Sequence, residues 1–185
     1  TYQIRFNLLS NVIDLCLELT GYLSGSLSRQ PPHYFLKIGR SIERADMTTR
    51  VIDVGCLNLM ERAPQRGQAE DNILWMGVLT SLNAYQMYRQ AVQERVRDSL
   101  VTDFLLRDPS FPRSVMHSIA SLRESFEKLP RHTDPKREAD TMMKKLSALD
   151  VQSVLDHNGL HEWIDEFQSD MNHIHSAITD TWFLR

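Results

Sequence analysis

A chain of 185 residues, 42% apolar and 24% charged, is long enough for one domain with a sizeable core and has the balance of an ordinary soluble protein. Its 21 basic and 24 acidic side chains leave a net charge of −3, which excludes a general attraction to nucleic acid or to an anionic membrane and leaves only a local basic patch open. Seven Gly and seven Pro, most of them between long periodic stretches, favour a few long elements over many short strands.

Over residues 2–22 the apolar positions Leu8, Leu9, Val12, Leu15, Cys16 and Leu19 follow helical spacing, and Gly21, Ser24, Gly25 and Ser26 then break it. Asn, Asp and Glu run through this stretch, so it is neither a signal peptide nor a membrane anchor, and no run approaches the roughly 18 apolar residues of a span. A start inside a helix and without Met suggests a processed or truncated piece. After Pro31 and Pro32 a second helix is expected to residue 62, with a seam of Phe35, Ile38, Ile42, Ala45, Thr49, Ile52, Cys56 and Leu59. Cys16 and Cys56 both fall on apolar faces, which predicts buried, reduced thiols and a cytoplasmic setting.

A loop at 63–67 precedes a third helix, expected from Asp71 or Asn72 through Trp75, Val78, Leu79, Leu82 and Tyr85 to about Glu94. Asp98 or Ser99 caps a fourth, ending before Asp108-Pro109. Pro112 suits the first turn of a fifth, which reaches Leu129. Pro130 and Pro135 bracket the next loop, a sixth stretch covers 136–156 with a break at Asp150, and a seventh runs over 160–183. With no strand pattern, the expected fold is an all-α antiparallel bundle of six or seven helices and one domain over residues 1–185.

Residues 35–54, FLKIGRSIERADMTTRVIDV, carry a second row beside the seam: Leu36, Arg40, Glu43, Met47, Arg50 and Val54. Charges alternate there with large apolar residues, which predicts a row facing a neighbouring helix, with Glu43 and Arg50 largely buried and paired. Arg40 with Glu43 and Asp46 with Arg50 stand at pairing distance within the helix. Lys37, Arg40 and Arg44 share one stripe at i, i+3 and i+7, and Arg44 has no acid within helical reach. Such a stripe is answered by acids on another helix, by a bound phosphate or carboxylate, which Arg reads through its forked donors, or by water alone.

These residues resemble the alpha-E domain family, a bacterial all-helical family named for its Glu-Arg motif, which Glu43-Arg44 matches within Gly39-Arg40-Ser41-Ile42-Glu43-Arg44-Ala45-Asp46. The segment FLLRDPSFPRSV, 104–115, is similar to the family's Asp-Pro then Pro-Arg-Ser-Val stretch, in the same order. The resemblance implies the C-terminal part of a longer alpha-E region, whose N-terminal part has a Glu-Arg segment of its own. It also implies a setting: alpha-E domains occur fused to, or encoded beside, circularly permuted ATP-grasp proteins, predicted carboxylate-amine ligases, and transglutaminase-like proteins. A protein partner of one of those kinds follows from the resemblance.

Arg113 is expected in the first turn of the fifth helix, where the dipole disfavours a cation, so a bond to Asp108 or another acid, or a shared anion, is its expected compensation. His157 with His161, and Asp170 with His173, have spacings that place ligands on one helical face, but they fall short of a dimetal set, and neither metal nor cofactor is expected. No phosphate loop, Ser/His/Asp or Cys/His arrangement or zinc-spaced Cys pair is present. Trp75, Tyr85, Tyr88, Trp163, Phe167 and Trp182 read as packing residues. The leading functional expectation is a non-catalytic accessory or interaction module of a peptide or amide-bond system. The alternative is an enzyme subunit that binds an anionic substrate through Lys37, Arg40, Arg44 and Arg113, with Glu43, Asp46 and Arg50 as further candidate binding residues. Exposure of those cations in one shared pocket separates the two. No nucleic acid or membrane partner is expected, and the oligomeric state is left open.

Overall fold

The computed structural model describes residues 2–60, 68–157 and 159–184, and its regular elements are all helical. In chain order they are α1 (Tyr2–Ser26), α2 (Pro31–Met60), α3 (Gln68–Ser81), α4 (Tyr85–Ala91), α5 (Asp98–Arg107), α6 (Val115–Phe126), α7 (Thr133–Ala148), α8 (Val151–Asp156) and α9 (Leu160–Ile178), followed by a π-helical turn, Thr179–Phe183. The expected loop at 63–67 lies outside the described residues.

The all-helical expectation holds, with more helices than six or seven because two stretches divide. Asn83 takes a left-handed φ of 52°, ending α3 and letting α4 begin two residues on. Asp150 breaks the sixth stretch as expected, because its carboxylate accepts a bond from the Ser153 N–H at 3.0 Å and caps α8. Two boundaries differ from expectation. α1 runs through Gly21 and Gly25 to Ser26, since a helical glycine costs only about 1 kcal/mol. Pro112 lies before α6 and not in its first turn, because Ser114 takes the cap: its hydroxyl accepts from the His117 N–H at 3.0 Å and donates to the Asp108 carbonyl.

α2 is the axis of the packing. Its 30 residues span about 45 Å, and the seam residues Ile38, Ile42, Ala45, Thr49, Ile52 and Cys56 are all buried. Each large apolar side chain so buried contributes about 1.5–3 kcal/mol against exposure. α6 runs antiparallel to α2, as Ser41 donates to Ser121 at 3.3 Å near one end and Thr48 to the Arg113 carbonyl at 2.8 Å near the other. α9 is antiparallel as well: Phe35 packs edge-on to Trp182, while Asp53 bonds His161. α7 pairs with α6 in the same sense through Arg123–Asp140 and Lys136–Glu127. α3 crosses α2 at Gly55, where an added Cβ would meet Val78 Cγ2 at 2.7 Å, so glycine alone permits that approach.

α1 stands apart from this core. Its described side chains are exposed except for Ser10 and Leu23, which are half-buried. Cys16 is therefore exposed, contrary to the expected buried thiol, whereas Cys56 is buried as expected and burial pushes its thiol pKa up. Among the described residues the periodic apolar side chains of α1 are largely uncovered.

Candidate functional site

From Glu43 onward the outer row of α2 is not covered by a neighbouring helix. Leu36 and Arg40 are half-buried, and Glu43, Met47, Arg50 and Val54 are exposed. This corrects the expectation that Glu43 and Arg50 are buried together. Arg50 pairs with Asp46, four residues back, at 2.8 Å, which holds its guanidinium pKa up, and Glu43 forms no ion pair among the described residues. The physical reason is simple: α6, α9 and α3 together occupy the inner side and flanks of α2, and among the described helices α1 meets its outer side only near the start, at Arg40.

Met47, Val51, Val54 and Gly55 of α2 line, with Leu74, Gly77, Val78 and Ser81 of α3, an apolar groove of about 460 Å3. Ile73 beside it is exposed. Gly55 and Gly77 keep the groove open to main chain, and Arg50 stands at its rim.

The stripe of Lys37, Arg40 and Arg44 lines a second, polar cleft of about 650 Å3, between the end of α1, the first half of α2, and α6. Arg29, His33, Tyr34, His117 and Ser121 line it too. Lys37 alone has an acid, Glu124 at 3.5 Å, and both partners are well exposed. Arg40 donates to the Thr20 hydroxyl at 3.4 Å, and Arg44 donates to the Pro112 carbonyl at 3.1 Å. Arg44 stays accessible, yet the surrounding protein desolvates its guanidinium, and Arg113 and Arg40 press on it as like charges, so its pKa is pushed down. His33 is likewise held below its ordinary value by desolvation, then by Arg29 and Lys37.

Arg113 is exposed beside Arg44 and outside the residues that line the cleft. Its expected bond to Asp108 is absent, because that carboxylate caps its own loop, accepting from the N–H groups of Ser110 and Phe111 at 2.8 Å. The continuation of the stripe to His33 was legible as one more step of four along α2. Arg29, His117 and Ser121 belong to other segments, and no local pattern announces them.

The first histidine spacing brings nothing together, and the second brings only His173 to 3.9 Å from Asp170. His157 bonds the Ser153 carbonyl at 2.7 Å, while His161 turns to Asp53 at 2.8 Å. Asp170 takes Lys145 at 2.7 Å. Among the described residues no group of three or more His, Cys, Asp or Glu gathers as for a metal, and no helix is long and apolar enough to cross a membrane.

Compared with known proteins, residues 2–183 match the Alpha-E family model, a predicted alpha-helical domain with a conserved ER motif. No curated relative and no solved structure matches.

Proposed function

The chain belongs to the Alpha-E family, and from that premise we propose that it is a non-catalytic accessory module that docks on a protein partner through α1 and the outer face of α2. One observation carries this reading. Ten large apolar side chains of α1, among them Ile4, Leu8, Leu15 and Tyr22, are 48–73% exposed. They leave on the order of 1,000 Å2 of apolar surface in water, beyond the roughly 300–600 Å2 of the largest patch on a typical monomer. Over residues 3–18 of α1 the polar side chains Gln3, Asn7, Ser10, Asn11, Asp14 and Glu18 fall within about 100° of its circumference, with Arg5 outside that arc, so the apolar residues spread over more than one side of the helix. The apolar groove between α2 and α3 adds a second exposed apolar surface.

The resemblance to alpha-E proteins points to the partner: a circularly permuted ATP-grasp protein or a transglutaminase-like protein, within a peptide or amide-bond system. The absence of a nucleophile–base arrangement or phosphate loop from the sequence supports a role beside the chemistry. Co-expression of the full-length protein with each candidate, followed by size-exclusion chromatography with light scattering, tests the proposal. A stable complex with one of them is expected, abolished by Leu8→Asp or Leu15→Asp. Failure to associate with either, or a complex indifferent to both substitutions, overturns it, and self-association through α1 would replace the partner by a second copy.

A further inference from the structure

We propose that the polar cleft between α1, α2 and α6 is a binding site for a small phosphate-bearing ligand with at least two anionic groups. The first ground is charge without compensation. Arg29, Lys37, Arg40 and Arg44 converge on one opening of about 650 Å3, and among the described residues only Lys37 has an acidic partner, the exposed Glu124. The chain as a whole is acidic at −3, so this concentration of cations runs against the general balance. A concave surface lined by one sign of charge focuses the field and draws counter-ions.

The second ground is how the arginines of the protein are satisfied. Arg50, Arg97, Arg107, Arg123 and Arg137 each hold a carboxylate, while Arg5, Arg113 and Arg131, which hold none among the described residues, are exposed and outside the cleft. Arg40 and Arg44 have only a hydroxyl and a main-chain carbonyl, neutral groups that leave most of each guanidinium fork free. Arg44 is partly desolvated among like charges, an arrangement that an anion relieves at once. Arg presents two parallel donors to two oxygens, the geometry of a phosphate.

The third ground is reach. Lys37 and Arg44 are seven residues apart on one helix, about 10 Å along its axis, which exceeds what a single phosphate spans and suits a ligand with separated anionic groups. The hydroxyls of Ser121 and Tyr34 line the same opening and supply neutral contacts. This site lies toward the N-terminal end of α2, along the same outer row as the apolar groove but with none of its lining residues in common, and its test reads anion binding with no protein partner present.

Isothermal titration calorimetry of the full chain with pyrophosphate, and separately with inorganic phosphate, at fixed low ionic strength tests it. Saturable binding of one pyrophosphate per chain is expected, at least tenfold tighter than phosphate. Arg40→Ala and Arg44→Ala should each weaken it about tenfold or more, as loss of a charge-assisted bond requires. Arg44→Lys should fall between, keeping the charge and losing the fork. Arg137→Ala, which removes an exposed cation already paired with Asp134 away from the cleft, should leave binding unchanged, and far-UV circular dichroism confirms that each variant is folded. If Arg44→Ala fails to fold, Arg40→Ala decides alone. Absence of saturable binding, or an equal loss in Arg137→Ala, overturns the assignment.

Discussion

The inner and outer rows of α2 share one helical spacing, yet they end in different surroundings. Ile38, Ile42, Ala45, Thr49, Ile52 and Cys56 are enclosed by α6, α9 and α3. Arg40, Glu43, Met47, Arg50 and Val54, displaced around the same cylinder, meet solvent, a groove or a cationic cleft. A hydrophobic period reports which residues share a face; it does not report whether the chain supplies the surface to cover it. The first face therefore holds the fold, and the second is exposed.

The largest expected effect sharpens the inner side of this contrast. Ile52 is fully buried, so Ile52→Ala should cost about 2–5 kcal/mol in urea unfolding, by lost transfer energy and the cavity left behind. A loss below about 1 kcal/mol would mean that the inner row is not the core. Next in size is Thr48, also buried, whose hydroxyl donates to the Arg113 carbonyl and ties α2 to the turn before α6. Thr48→Val keeps the shape and orphans that carbonyl, for an expected cost of about 1–3 kcal/mol by the same measurement.

Smaller again is a pH effect at the edge between the two rows. Asp53, mostly buried, accepts from His161 at 2.8 Å, and this bond, followed by the charge of Asp53, raises the His161 pKa above its ordinary 6.5. A raised folded-state pKa means that the added stability is fully present below about 6.5, the unfolded value, and is lost as pH rises through the higher folded value. Unfolding midpoints measured between pH 5 and 8.5 should therefore fall across that window, and Asp53→Asn should flatten the dependence. A dependence of opposite sign would show that His161 is held neutral.

Much of this architecture was legible in the residues. The seam of α2 was read position by position, because steps of three and four admit only one buried face on a helix of that length. The break at Asp150 was legible because an Asp before a periodic run offers a cap. The extra division at Asn83 was not, since a left-handed residue within an otherwise helical pattern carries no periodic signal, and Pro112 was misplaced because Ser114, two residues on, caps more effectively. The burial expected for Cys16, Glu43 and Arg50 failed for one shared reason: the faces they occupy have no covering helix among the described residues. Of the cleft, the α2 stripe could be read from spacing, whereas Arg29, His117 and Ser121 arrive from elsewhere in the fold.

Neighbouring positions give the most direct test of the contrast. Ile42 lies on the inner face and is buried, and Glu43, one residue on, is exposed and forms no ion pair among the described residues. Equilibrium urea unfolding of Ile42→Ala and Glu43→Ala, measured side by side in the same chain, should show a loss of about 2–5 kcal/mol for the first and about 0.5 kcal/mol or less for the second. A loss of about 3–5 kcal/mol for Glu43→Ala, as removal of one partner from a buried pair would give, would contradict the account and place the Glu-Arg motif in the core.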